Sequence, residues 1–445
     1  MKEKLLKLYH RLPVPARSVA ASLHGYYLRS WRYSTETDHL VSEALDREKW
    51  SSERWRLWQE ERLAYVLHRA ATQVPYYCEQ WSARRRKGDR ASWEYLENWP
   101  ILEKNSVREN ASAFVSDDCK IQDMYREQTS GTSGSSLSLW WSLKTVRAWY
   151  ALFEARWRGW NGVSRHERWA NIGGQLVSPV YQNRPPFWVW NKASNQLYMS
   201  SYHLAPHLIP FYLDALVRYG IKYLWGYSSS LYALAREVER CGRTDLPMHV
   251  VITNAEPLFD YQRETISKAF QCPVRETYGM AEIVAAASEC GAGRLHLWPE
   301  VGLVEVFEEN EPVAPGVPGD LVCTGLLNED MPLIRYRVGD RGVLQVQPVS
   351  CSCGRALPIL ASVEGRISDV LYTIDGKQIG RLGRIFQDDL HIHEAQIIQE
   401  KLDQIRICFV PTPGFTLEDG RTLVDLLRAR MGKVEVILEK VPEVP

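Results

Sequence analysis

Residues 223–279 read YLWGYSSSLYALAREVERCGRTDLPMHVVITNAEPLFDYQRETISKAFQCPVRETYG, and the fold follows from the texture of this stretch. YLWGYSSS (223–230) is an apolar run that enters a polar turn, the pattern of a buried strand. SLYALAREVERCG is an amphipathic helix closed by Gly242. MHVVITNAEP (248–257) is a β-branched strand ending in polar residues, YQRETISKAF is a helix, and VRETYG is a strand running into a turn. Strands that alternate with helices and deliver polar residues at their ends predict an α/β fold with its site along the strand edge.

Upstream, WANIGG (169–174) is another short strand ending in a turn. LKTVRAWYALFEARWRGW places Trp149, Phe153 and Trp157 on one helix face, a core stripe rather than a ligand surface. Residues 1 to about 120 look mainly helical, with Trp55, Trp58, Leu63 and Leu67 at roughly helical spacing and VPYY (74–77) as a break. Downstream, from about residue 302 the texture is β-rich (GLVEVFE, GDLVCTG, RGVLQVQPV). Beyond Gly365-Arg366 a smaller βαβ-like segment ends in a helix (LVDLLRARM) and a strand (VEVILEKV). Internal repeats and low-complexity stretches are absent from the sequence.

The bulk numbers narrow the function. In 445 residues, 54 Lys and Arg balance 54 Asp and Glu, which argues against a partner held by a basic surface, nucleic acid above all. Hydrophobic residues at 45% and charged residues at 24% describe a globular chain. No apolar run is long enough to span a bilayer, and the start lacks a signal peptide's core, so a soluble cytoplasmic protein is expected. Nine cysteines in so long a chain are not a disulfide framework. Lys2, Lys4, Lys7, Arg11, Arg17, Arg29 and Arg32 face the single acid Glu3 at the start. That arm suits weak contact with an anionic membrane surface, although a solvated arm packed by Leu5, Leu6 and Tyr9 is the favoured reading.

Four short motifs carry chemistry. Thr129, Ser130, Gly131, Thr132, Ser133 and Gly134, with Ser135 and Ser136, form a flexible, donor-rich loop suited to phosphate oxygens; on its own it equally describes a linker. In Tyr278-Gly279-Met280-Ala281-Glu282 a tyrosine at a strand end can stack on a purine, glycine admits the backbone, and the carboxylate can hold magnesium. Arg335-Tyr336-Arg337-Val338-Gly339-Asp340 offers an Asp for a ribose diol, and Glu364-Gly365-Arg366-Ile367-Ser368-Asp369 marks the change of texture. A separate set, Cys290-x5-His296 with Cys351-x-Cys353, sits among glycines that permit tight turns and suits a tetrahedral structural zinc; the other cysteines show no such pattern.

In their order and spacing, the Thr-Ser-Gly loop, Ala255-Glu256-Pro257, the Tyr278–Glu282 and Arg335–Asp340 motifs and Gly365-Arg366-x-x-Asp369 resemble the adenylate-forming enzymes. Within that superfamily the chain looks like the phenylacetate–CoA ligase and coenzyme F-390 synthetase branch. It is most similar to the CapK-like members associated with capsular polysaccharide biosynthesis. VPYY, WPILEKNSVREN (99–110), MSSYHL (199–204), WGYSSSLYALA (225–235) and MPLIRYRVGD (331–340) carry the closer resemblance, which covers nearly the whole chain. It implies a large N-terminal adenylation domain (1–365) with a β-rich subdomain, and a small mobile α+β C-terminal domain (366–445).

The resemblance also implies roles. Thr129 to Gly134 would grip the ATP phosphates; Asn254, Ala255 and Glu256 would line the adenine, with Tyr278 stacked on it and Gly279 beside it. Glu282 would hold magnesium, Asp340 the ribose hydroxyls, and Arg366 would reach the ribose or phosphate. The acid would lie between Tyr227, Ser228, Ser229, the Gly173-Gly174 strand end and His203, although a hydrogen-bonded core histidine is an equal reading of His203. The family's cysteine positions also match the zinc set.

The implied reaction is ATP-dependent, AMP-forming activation of a carboxylic acid, followed by transfer to CoA or to an amine or hydroxyl. The rivals are AMP transfer in which AMP stays on the product, and a non-catalytic nucleotide-binding protein. No residue identifies a CoA pocket, and nothing indicates the oligomeric state. Ser135 replaces a common Lys, Ala281 a common Thr, and Ser368 the usual hinge residue. The family's catalytic lysine lies on a Gly-Lys loop beyond a segment like VEVILEKVPEVP; Lys433 and Lys440 precede it and do not match. A chain trimmed at a flexible tail is the expectation, with loss of that lysine as the alternative.

Overall fold

The computed structural model describes residues 2–129, 137–346, 351–364, 371–379, 385 and 390–442. The first 120 residues are helical, as their periodicity predicts. Helix Ser52–Gln73 is capped by the Ser51 side chain, which accepts from Arg54 N, and it buries Trp55, Val66, Leu67 and Ala70. The break at VPYY is a helix junction: Pro75 opens the helix Pro75–Arg86, at the position where its missing N–H costs nothing. No helix among the described residues is long and apolar enough to cross a membrane.

Strands β1 (Tyr125–Gln128) and β2 (Ser138–Trp141) form an antiparallel pair around the Ser/Gly-rich loop. Next come β3 (Trp169–Gly173), β4 (Trp188–Asn191), β5 (Gln196–Ser200), β6 (Tyr223–Tyr227), β7 (Val251–Asn254) and β8 (Val274–Gly279). They are followed by β9 (Ala286–Glu289), β10 (Leu295–Leu297), β11 (Gly302–Glu308), β12 (Glu311–Pro312), β13 (Gly319–Gly325), β14 (Tyr336–Leu344) and β15 (Ile359–Glu364). All from β3 onward join one thirteen-stranded sheet, ordered β12-β11-β13-β14-β15-β10-β9-β8-β7-β6-β3-β5-β4. Strands β5, β3, β6, β7 and β8 run parallel, whereas the β8–β9 pair and the β-rich part beyond it are antiparallel.

One expectation changes. The β-rich part begins at Ala286 rather than near 302, because Tyr278 and Gly279 pair back onto Ala287 and Ala286 and carry the sheet onward. The Arg335–Asp340 motif lies at the start of a strand. Arg335 is buried on Glu305, at 2.8 and 3.1 Å, and Tyr336 onward is strand β14.

The parallel strands read as continuous apolar runs because both their faces are covered. Leu213, Leu216, Leu231, Leu234 and Ile266, from three helices, fill one face. The other face packs on the N-terminal helices and the aromatic stripe: Trp149 and Trp157 are buried, and Phe153 stacks on Trp225 with centroids 4.7 Å apart.

At the C-terminal end, β16 (Leu371–Tyr372) and β17 (Gln378–Ile379) form a small pair. Strands β18 (Ile392–Lys401), β19 (Gln404–Pro411) and β20 (Glu435–Lys440) form a separate sheet with the helix Leu417–Met431. The parallel β19–helix–β20 unit is the βαβ-like segment expected there. Its core of Ile405, Ile407, Leu423 and Leu427 continues onto Val180 and Tyr202 of the larger part.

Candidate active site

Parallel strands end at one edge, so the topology gathers residues that lie far apart in the chain. Tyr227 is paired in register with Asn254, and Gly173 with Ser200. The Asn254 amide, in the orientation its neighbours require, donates to Gly226 O (3.1 Å) and accepts from Trp225 Nε1 (2.6 Å). Ala255 then takes a left-handed conformation, φ 66°, rare for a residue with a Cβ and concentrated at functional turns. Glu256 Oε2 accepts from Ser229 N (3.0 Å) and Ser229 Oγ (2.7 Å), while Ser228 Oγ donates to Glu256 O (3.3 Å).

The paired glycines are steric requirements of the two tyrosines beside them. A Cβ on Gly173 would sit 2.5 Å from Tyr198 Oη, and one on Gly174 would sit 3.0 Å from Tyr227 Oη. Gly174 N instead donates to Tyr227 Oη at 3.2 Å.

Two of the motifs interlock through exchanged tyrosines. Tyr278 Oη donates to Asp340 Oδ2 (3.0 Å), and Tyr336 Oη donates to Glu282 Oε1 (3.0 Å). Burial, and then the Asp340 carboxylate, push the Tyr278 hydroxyl far above its usual pKa, so it stays a donor. Glu282 is buried, and its Oε1 also accepts from Lys104 Nζ at 3.3 Å.

Lys104 was not among the residues singled out in the sequence, although it lies within WPILEKNSVREN. It arrives because Leu102 pairs with strand β14: Leu102 N donates to Arg335 O and Arg337 N donates to Leu102 O. One buried carboxylate with a tyrosine hydroxyl beside it fits a magnesium ion held mainly by nucleotide phosphates, and does not amount to a protein cage.

Other expected positions fall elsewhere. Thr129 clasps the base of its loop, with its N–H on Leu137 O (3.0 Å) and its Oγ1 accepting from Leu137 N (2.9 Å). Ser130 to Gly134, and Arg366, lie outside the described residues. His203 is a correction. It is fully buried, with Nδ1 on Ser200 Oγ (2.8 Å), Nε2 on Pro179 O (3.0 Å) and its ring stacked on Phe187. Both ring nitrogens are engaged inside the core, so none faces a substrate. Burial lowers its pKa to about 4. Lys377 is buried against Asp375 at 2.9 Å.

Beside Asn254 lies a cavity of about 570 Å³, within the usual range for small-molecule sites. The helix Val14–Arg32 forms part of its wall, anchored by Arg17 on Gln182, and Tyr9 of the preceding helix Lys2–Arg11 donates its Oη to Val177 O. Phe153 and Trp157 of the aromatic stripe line it too, so the stripe both packs the core and faces the cavity.

The Cys/His set is assembled on the β9–β10 hairpin and the segment before β15. The four ligand atoms of Cys290, His296, Cys351 and Cys353 lie within 4.8 Å of one another. Cys290 Sγ and Cys351 Sγ are 3.8 Å apart, the edge of a tetrahedron with Zn–S near ~2.3 Å. Cys353 Sγ lies 3.3 Å from His296 Nε2, and His296 Nδ1 donates to Leu357 O at 3.2 Å, which leaves Nε2 for a metal. The donor set therefore fits zinc.

No protein-family model matches the chain. Protein CapK of Staphylococcus aureus is 24% identical over 413 residues, covering 91% of this chain and 88% of that protein. Phenylacetate-coenzyme A ligase of Thermus thermophilus is 32% identical over 146 residues, about a third of each chain. The Pseudomonas putida ligase of that name is 24% identical over 329 residues, covering 70% of this chain and 71% of its own. Among solved structures, 2-hydroxyisobutyryl-CoA ligase with 2-HIB-AMP and CoA in its thioesterification state superposes with a TM-score of 0.56. It shares 19% identity over 90% of this chain and 89% of that one, a likeness of fold. With the interlocked motifs at the strand edge, the chain is thus similar over most of its length to protein CapK and to a phenylacetate-coenzyme A ligase, and it shares the fold of 2-hydroxyisobutyryl-CoA ligase.

Proposed function

We propose that the protein is an ATP-dependent, AMP-forming ligase that activates a carboxylic acid as an acyl-adenylate and passes it to an acceptor, a thiol such as CoA or an amine or hydroxyl. The observation that carries this reading is the double exchange Tyr278–Asp340 and Tyr336–Glu282, on the same sheet whose parallel strands bring Asn254 to a cavity.

A carboxylate oxygen of the acid attacks the α-phosphorus, and the bond to the bridging oxygen breaks as pyrophosphate leaves with that electron pair. Two anions must approach, so positive charge and fixed donors supply most of the catalysis. Magnesium, held by Glu282, would neutralise phosphate charge. Lys104 adds a cation next to that carboxylate, and Asp340, which accepts from Tyr278, would accept from the ribose hydroxyls. The Cys/His cluster would hold a structural zinc away from these groups.

The test is ATP–pyrophosphate exchange across a broad acid panel. Glu282→Gln and Asp340→Asn are each expected to lower kcat/KM about 10- to 100-fold. Wild-type kinetics in both would remove the site assignment, and exchange with no acid would remove the reaction. Product mass separates acyl transfer from AMP transfer.

A further inference from the structure

The cavity is longer than a small acid needs, and its charge is one-sided. Its lining begins with Asn254 and Gln175 at the C-terminal ends of the parallel strands. It ends with Trp169 and Asn195 at the N-terminal starts of β3 and β5. It thus runs the length of a five-residue strand, roughly 17 Å. The middle is aromatic, with Phe153, Trp157 and Trp225. Among the described residues that line it there is no Asp or Glu, but there are four arginines.

Two of those arginines are already balanced: Arg158 by Glu154 at 3.0 Å, and Arg165 by Asp38 at 2.9 Å. The other two differ. Arg29 makes a long 3.5 Å contact to Ala193 O, and Arg32 lies 4.4 Å over the Tyr150 ring. Among the described residues neither has an ion pair. Arg29 stands beside the 192–195 turn, at the end away from Asn254, and Arg32 is the last residue of the same helix Val14–Arg32.

An aromatic passage with surplus guanidinium charge at its far end recognises a molecule with an apolar body and an anion at its tip. We propose that the acid activated here is a long dianion: one carboxylate lies at the Asn254 end for adenylation, and a second oxyanion, a carboxylate or sulfonate-like group, is met by Arg32 with Arg29. This inference rests on the acid-ligase reading and names its substrate class.

The test is calorimetric binding to the full chain near pH 7.5, with and without ATP and magnesium. The probes are two matched pairs: decanedioate against decanoate, and para-sulfonated 4-phenylbutyrate against 4-phenylbutyrate. In at least one pair the dianion should bind at least about tenfold more tightly. Arg32→Gln should erase that margin and leave the monoanion within about twofold, whereas Arg32→Lys should keep part of it. An unchanged urea midpoint shows that the variants are folded.

Failure of both dianions to bind, equal affinity within both pairs, or a preference that survives Arg32→Gln overturns the inference. Pyrophosphate exchange on the same acids separates the two readings. Dianion-selective binding without exchange keeps the pocket and removes the ligase. Equal exchange with both members of each pair keeps the ligase and removes the pocket.

Discussion

Removing the metal from the Cys290–His296–Cys351–Cys353 cluster should loosen the hairpin that carries it. The 3.8 Å sulfur–sulfur distance already matches a zinc tetrahedron, and the 3.3 Å sulfur–nitrogen distance is within a few tenths of an ångström of one. Little of the binding free energy is therefore lost to rearrangement. Stabilisation by a ligand that binds only the folded state is RT ln(1 + [L]/Kd), or about 4 kcal/mol with free zinc at ~1,000 times Kd. The expected result is one zinc per chain by elemental analysis. A fall in unfolding free energy of about that size is expected after chelation, reversed by added zinc. Cys353→Ser should lose most of it. Cobalt in place of zinc should show the intense visible bands of a tetrahedral thiolate site. Substoichiometric metal in protein purified with zinc present, or a chelator-insensitive unfolding curve, would refute the reasoning.

Three further outcomes are expected. Tyr336→Phe keeps the ring volume but removes a donor from a buried carboxylate, at a cost of about 1.5–3 kcal/mol in urea unfolding, with nucleotide affinity lowered as well. His203 is held neutral at a pKa of about 4 against an ordinary value near ~6.5, so the unfolded chain binds the proton first as pH falls. Stability should drop by about 2 kcal/mol between pH 7.5 and pH 5 on this account, and His203→Gln should flatten that slope. Gly25→Ala would drive a Cβ into the Asn191 amide, within 2.7 Å of its Cγ, so about 1–2 kcal/mol of overpacking should outweigh the helix-propensity gain. Faster hydrogen exchange in helix Val14–Arg32 would report it.

The strand–helix alternation of 223–279 was legible because parallel strands buried on both faces demand apolar runs, and helices between them demand one apolar stripe. The Tyr278–Glu282 and Arg335–Asp340 motifs were legible from their residue types and order, not as turns, since one ends strand β8 and the other starts strand β14. The Cys/His set also showed itself, since two close pairs among glycines are an unusual arrangement.

Several site features were not visible in this way. Lys104 reaches Glu282 across 178 positions, through a bridge that no local pattern announces. His203 could be read as a ligand or as a core residue until both its ring nitrogens were seen to be engaged. The onset of the antiparallel half at Ala286, a run of buried alanines and small residues, carries no clear period.

The amino-acid sequence by itself determined the α/β class, the strand ends that bear the motifs and the two close pairs of the Cys/His set, because each is set by neighbours within a few positions. Tertiary structure alone decided which carboxylate meets which tyrosine, that Lys104 stands beside Glu282, and that an N-terminal helix walls a long arginine-ended cavity. Those contacts join residues from distant segments, and their partners are chosen by how the helices and the sheet pack, which no local spacing records.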